Sequence, residues 1–138
     1  MARTSYAVGT SPYGSASLMD LNGDGRPDIV TVELFSNSVS VLLNQGNGTF
    51  VARTSYAVGT SPQDSASMMD LNGDGRPDIV TSDYGSNSVS VLLNQGNGTF
   101  AARTSYAVGT QLYGSASLMD LNGDGRPDIV TADTAPPA

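Results

Sequence analysis

Asp20-Leu21-Asn22-Gly23-Asp24-Gly25-Arg26-Pro27-Asp28 recurs unchanged as residues 70–78 and again as 120–128. Asp20, Asn22, Asp24 and Asp28 place oxygen-bearing side chains at positions one, three, five and nine. That alternation lets a tightly coiled loop turn them toward one centre, and Gly23 and Gly25 permit the sharp backbone reversals. Three carboxylates within nine residues repel one another unless a cation sits between them. Oxygen-only ligation without His or Cys suits a hard ion, and Ca2+ accepts irregular geometry more readily than Mg2+. By analogy with the EF-hand loop, the Arg26 carbonyl at position seven supplies a further ligand. The expected metal sites are therefore Asp20, Asn22, Asp24, Arg26 and Asp28; Asp70, Asn72, Asp74, Arg76 and Asp78; and Asp120, Asn122, Asp124, Arg126 and Asp128. Each takes one Ca2+, up to three per chain.

The loop is not an EF-hand. That motif needs a bidentate Glu at position twelve and a helix after the loop. Here position twelve is Thr31, Thr81 or Thr131, and Asp28-Ile29-Val30-Thr31 reads as entry into a β-strand. Dockerin-like modules fail for the same reason.

Outward from the loop, the text repeats with a period of 50 residues: 2–51, 52–101 and a shorter third copy, 102–138. Met1 stands where Val51 and Ala101 stand later, so the numbering opens in the middle of a repeat. A period of this length with several short strands marks a propeller blade or a β-solenoid unit. Four strands are expected per period: 15–19 into the loop, 28–32 out of it, 38–43, and 49–58 after an Asn-Gly turn at 44–48. The loop is thus a hairpin connection between the first two. Ile29, Val30, Val39, Val41, Leu43, Phe50 and Tyr56 are the expected core, because sheets stacked face to face bury both sides.

Composition narrows the function. The chain has 138 residues, of which 38% are hydrophobic and 7% aromatic, enough for a thin core in each repeat. Of its 13 acidic residues nine lie in the three loops, so the net charge of −7 belongs to the metal sites rather than to a steering field. Nucleic acid is not an expected partner. No apolar run is long enough to cross a membrane, membrane insertion is not expected, and the opening residues do not read as a secretory leader. The absence of Cys and His removes thiol and imidazole chemistry, and Glu33 is the only Glu. The expectation is a binder or scaffold, not an enzyme.

The run Ser-Ala-Ser-Leu-Met-Asp-Leu-Asn-Gly-Asp-Gly-Arg-Pro-Asp-Ile-Val, followed by Asn-Ser-Val-Ser-Val-Leu-Leu-Asn and Gly-Asn-Gly-Thr-Phe, resembles the FG-GAP/VCBS repeat. That is the blade unit of integrin-α-like β-propellers. The resemblance implies an all-β fold of four-stranded antiparallel blades. It also implies Ca2+ in the loop between the first two strands, and a secreted or cell-surface setting with adhesion, glycan or protein binding. Closed propellers need about four to eight blades. This sequence holds about three, the last lacking its outer strands, so it is expected to be part of a larger array or to complete a ring as a homo-oligomer. The 2–8 segment would supply an outermost strand, and Pro136 and Pro137 would end edge pairing. Two other readings remain: a purely structural self-assembling fragment, natural or designed, and the non-catalytic propeller part of a larger secreted hydrolase or lyase.

Copies one and two differ at eight positions, six of them at 13/63, 14/64 and 32/82 to 35/85. These are expected in two connections on the face opposite the metal loops. Candidate ligand contacts there are Tyr13, Glu33, Leu34, Phe35, Gln63, Asp64, Tyr84 and Tyr113, since aromatics beside acids and amides suit sugar or protein surfaces.

Overall fold

A computed structural model describes residues 3–133. Ten strands run in chain order: β1 (Pro12–Met19), β2 (Asp28–Glu33), β3 (Ser38–Leu42), β4 (Thr54–Ala57), β5 (Pro62–Met69), β6 (Asp78–Asp83), β7 (Ser88–Leu92), β8 (Thr104–Ala107), β9 (Leu112–Met119) and β10 (Asp128–Asp133). They form two four-stranded antiparallel meanders, β1-β2-β3-β4 and β5-β6-β7-β8, and a two-stranded sheet, β9-β10. The architecture is all-β, of propeller-blade type: two full blades and the inner half of a third. Short apolar–Ser alternation favours strands, and the Asn-Gly connections allow the reversals.

The core lies between blades. Val30, Val32, Val39 and Val41 of the first blade pack with Ala66, Ile79, Leu92 and Phe100 of the second. Val80, Val89 and Val91 of the second pack with Ala116 of the third. Both faces of the middle strands are covered, so Ser40 and Ser90 are as buried as the valines beside them. Tyr56 meets Phe100 edge-on, with centroids 5.5 Å apart and planes at 79°.

The inner strands β1, β5 and β9 run beside one another and carry a bulge. Between the pairs Tyr13↔Val32 and Ser17↔Val30 the register shifts, leaving 14–16 on β1 opposite Thr31 alone. Gly14 takes φ +74° there, and a Cβ on it would lie 2.6 Å from the Asp64 backbone carbon. The bulge frees backbone groups that the next blade then satisfies. Ser65 Oγ accepts from Ser15 N at 3.1 Å and donates to Ser15 O at 2.9 Å. Ser115 Oγ treats Ser65 N and O in the same way, at 3.0 and 2.7 Å.

Several expectations need correction. The inner strand begins at Pro12, not at 15, and the second reaches Glu33. The outer strand is only Thr54–Ala57; before it Phe50 makes a separate bridge to Asn44, and 51–53 carry no strand. Residues 3–8, expected as an edge strand, form none, although Tyr6 rests on Phe50 with the 5.5 Å, 79° geometry of the internal pair. Of the expected core, Val30, Val39 and Val41 are fully buried, while Ile29, Leu43, Phe50 and Tyr56 are half-buried. Pro136 and Pro137 lie outside the described residues.

Phe100→Ala removes a 5% exposed ring from the seam between the full blades and is expected to cost about 3 kcal/mol. A urea melt checks this; a loss under about 1 kcal/mol would place the core elsewhere.

Candidate functional site

Each Asp-rich loop joins the two inner strands of a blade, as a β-hairpin connection. In the first, Asp20 Oδ1 accepts from Gly23 N at 2.8 Å and Asp24 N at 3.2 Å, and Asp20 Oδ2 accepts from Gly25 N at 2.8 Å. Asp24 Oδ1 accepts from Arg26 N at 2.9 Å. Gly23 and Gly25 adopt φ +77° and +82°, which aims successive amides inward. The same pattern holds around Asp70 and Asp120.

The side chains at positions one, three and five converge. In the second loop one atom of the Asn72 amide stands 3.1 Å from Asp70 Oδ1, 3.1 Å from Asp74 Oδ1 and 3.3 Å from Asp74 Oδ2. With nitrogen in that place, the amide donates to both carboxylates. By residue type, two carboxylates and an amide carbonyl are donors that fit a hard divalent ion.

Position nine behaves differently. Asp28 is fully buried, its Oδ2 accepting from Leu21 N and its Oδ1 from Asn44 N, both at 2.8 Å. Asp78 ties Leu71 N to Asn94 N in the same way. These carboxylates clasp the start of the loop to the outer turn of the blade, so the converging set is Asp-Asn-Asp. Among the described residues no group of three acidic side chains is arranged to hold a metal. Arg26 lies beside its loop, 3.2 Å from Asp24 Oδ2, with half its side chain in solvent.

Backbone donation, led by Gly25 N, holds the Asp20 carboxyl below its ordinary value, and Gly75 and Gly125 do the same for Asp70 and Asp120. Burial pushes Asp78 and Asp83 up.

The opposite face holds a cleft of about 650 Å³ lined by Gly14, Gln63, Asp64, Tyr84, Tyr113 and their neighbours. It gathers Gln63, Asp64, Tyr84 and Tyr113 from the second and third copies. Glu33 is not a surface residue: it is fully buried at the end of β2, where Thr31 Oγ1 and Ser38 Oγ donate to it. It drops out of the ligand contacts because β2 runs one residue further than expected. Phe35, 71% exposed, stands outside the cleft lining, as does Leu34. Tyr13 pairs by its backbone with Val32 on β1, beside the Gly14 that lines the cleft.

Sequence reasoning also missed the burial of Glu33's repeat counterpart. Asp83, fully buried, accepts from Gly59 N at 3.2 Å, Thr81 Oγ1 at 2.8 Å and Ser90 Oγ at 2.6 Å. The signal was an acid at 33, 83 and 133, always after Thr and one residue.

A family model described as FG-GAP-like repeat matches residues 20–81 and 70–131, each match running from one Asp-rich loop into the strand after the next. A search of curated proteins finds no match.

The two carboxylate classes predict opposite pH behaviour. Asp20, held low, stabilises fully above its ordinary value of 3.8, and that contribution is lost as pH falls through its lower folded value. Asp83, held high, favours the fold most below 3.8, and that contribution is lost as pH rises through its higher folded value. Carbon NMR titration of the ion-free chain should place the two midpoints on either side of 3.8. Coincident midpoints would contradict the described hydrogen bonding.

Proposed function

The chain belongs to the FG-GAP-like repeat family, and on that premise we propose that it is a calcium-clamped, non-catalytic binding module for an extracellular glycan or protein surface. The observation that carries the ion reading is the convergence of the Asp70 and Asp74 carboxylates on the Asn72 amide, one atom of which lies 3.1–3.3 Å from three of their oxygens. Asp20, Asn22, Asp24 and their copies would hold the ion, with the Arg26, Arg76 and Arg126 carbonyls as further expected ligands, while the carboxylates of Asp28 and Asp78 brace the loop through backbone N–H groups. The bound ion neutralises the crowded carboxylates and so fixes the hairpin.

The ligand reading rests on the cleft. Tyr84 is 45% and Tyr113 72% exposed; flat rings of this kind stack on the C–H faces of sugars or on apolar protein surface at small entropic cost. Asp64 and Gln63 supply an acceptor and an amide for hydroxyl or amide groups of the ligand. A non-catalytic role is supported by the chemistry of that lining: Asp64 is its single carboxylate, whereas glycosidic hydrolysis uses a pair. Repeats of this family are typical of extracellular proteins, and no helix among the described residues is long and apolar enough to cross a membrane.

Asp24→Ala should remove one ion and lower the melting midpoint measured in calcium, and a chelator should lower the wild-type midpoint further. Equal midpoints with and without chelator would count against the clamp. Tyr84→Ala with Tyr113→Ala should reduce binding on a glycan array or to cell surfaces by about tenfold or more, each lost aromatic contact being worth on the order of 1 kcal/mol. Unchanged binding would move the ligand site off this face.

A further inference from the structure

The blades join through one repeating set of contacts, and the two outer blades each carry half of that set unmatched. Across the first junction Ser65 Oγ holds the Ser15 backbone, Ser17 Oγ donates to Ala66 O at 2.9 Å, and Asn94 Nδ2 donates to Leu21 O at 2.8 Å. Across the second, Ser115 Oγ holds the Ser65 backbone and Ser67 Oγ donates to Ala116 O. The third blade therefore ends on Ser115 backbone, Ser117 Oγ and Leu121 O, the halves that blade one offers to blade two. The first blade begins with Ser15 Oγ, Ala16 O and the Asn44 amide, the halves that blade two offers to blade one.

Burial tells the same story at identical residue types. Leu21 is 2% exposed beneath the second blade, and its repeat equivalent Leu121 is 63% exposed. Val30 is 0% and Val130 is 42% exposed. What separates them is the presence of a following blade. The leading side is equally prepared: Tyr6 already sits on Phe50 as Tyr56 of blade one sits on Phe100 of blade two, the place of an outer strand from a preceding blade.

We propose that the free face of β9-β10 docks on the free face of β1 in a second copy of this chain, head to tail. The contact reuses the internal junction. Ser15 Oγ of the second copy takes the Ser115 backbone, Ser117 Oγ donates to its Ala16 O, and its Asn44 amide reaches Leu121 O. Gly114 meets Gly14 where the inner strands approach most closely, so no side chain obstructs. The described residues occupy three blade positions, and two copies of them fill six, within the about four to eight that closed rings hold. Two copies therefore close the ring, and a head-to-tail contact that closes yields a finite assembly rather than a filament. The Thr4–Ala7 segment of each copy then lies at the outer edge of its neighbour's third blade.

Sedimentation equilibrium of the full chain in calcium buffer tests this. The expected mass is about 28 kDa, twice the 14.2 kDa of one chain. Ser15→Ala with Ser117→Ala touches no side-chain hydrogen bond among the described residues of one copy and should raise the dimer dissociation constant about tenfold or more, for three lost hydrogen bonds per junction. Leu121→Arg should give monomer, while Phe35→Arg, at an exposed position away from the junction, should leave the dimer intact. A single-chain mass at every concentration, an open-ended ladder of masses, or a dimer indifferent to both junction variants would overturn the proposal.

Discussion

The constraint on which this structure turns is the crowding of carboxylate oxygens at alternate positions of a nine-residue hairpin loop. Backbone amides meet part of it: Gly23, Asp24 and Gly25 point their N–H groups at Asp20, which keeps that side chain ionised and sets the coil of the loop. Amide dipoles do not cancel the repulsion between Asp20 and Asp24, and in the second loop the Asn72 amide nitrogen bridges the two flanking carboxylates. The loop's shape is thus built around charge, while the sheets are built around apolar area. The two designs meet at Asp28, which is buried and spends both oxygens on the backbone.

That meeting point explains how a solvent-exposed loop can influence a sheet. Asp28 joins the beginning of the loop to the turn after β3, and Asn94 extends the link across the junction to Leu21 O of the preceding blade. A change in the loop is therefore felt in its own outer turn and in the adjacent blade. The inner-strand bulge supplies the second tie. By skipping residues 14–16 from the ladder with β2, it exposes backbone groups that serines of the next blade then satisfy. Blades are held by hydrogen bonds at the inner strands and by the apolar seam outside them.

Much of this was legible in the sequence. The 50-residue period, the loop as a hairpin and the four-strand meander all follow from repeated motifs and strand alternation. Strand ends were not legible. Differences between copies at 13, 14, 32 and 33 looked like loop variation, but all four positions lie in β1 and β2. Glu33 was misplaced for that reason, since a carboxylate inside a strand end reads as exposed until its Thr and Ser donors are known. The separate role of Asp28 was hidden as well: a ligand and a backbone clasp demand the same residue type, and only burial tells them apart. The serine ladder was invisible because a serine in an alternating strand carries no sign of which blade its hydroxyl will reach.

Isothermal titration of the metal-free chain with calcium is the most direct measurement of whether the loops were shaped for a cation. The account predicts three ions bound per chain, one for each Asp-rich loop. Saturation with no bound calcium at millimolar concentration would contradict it.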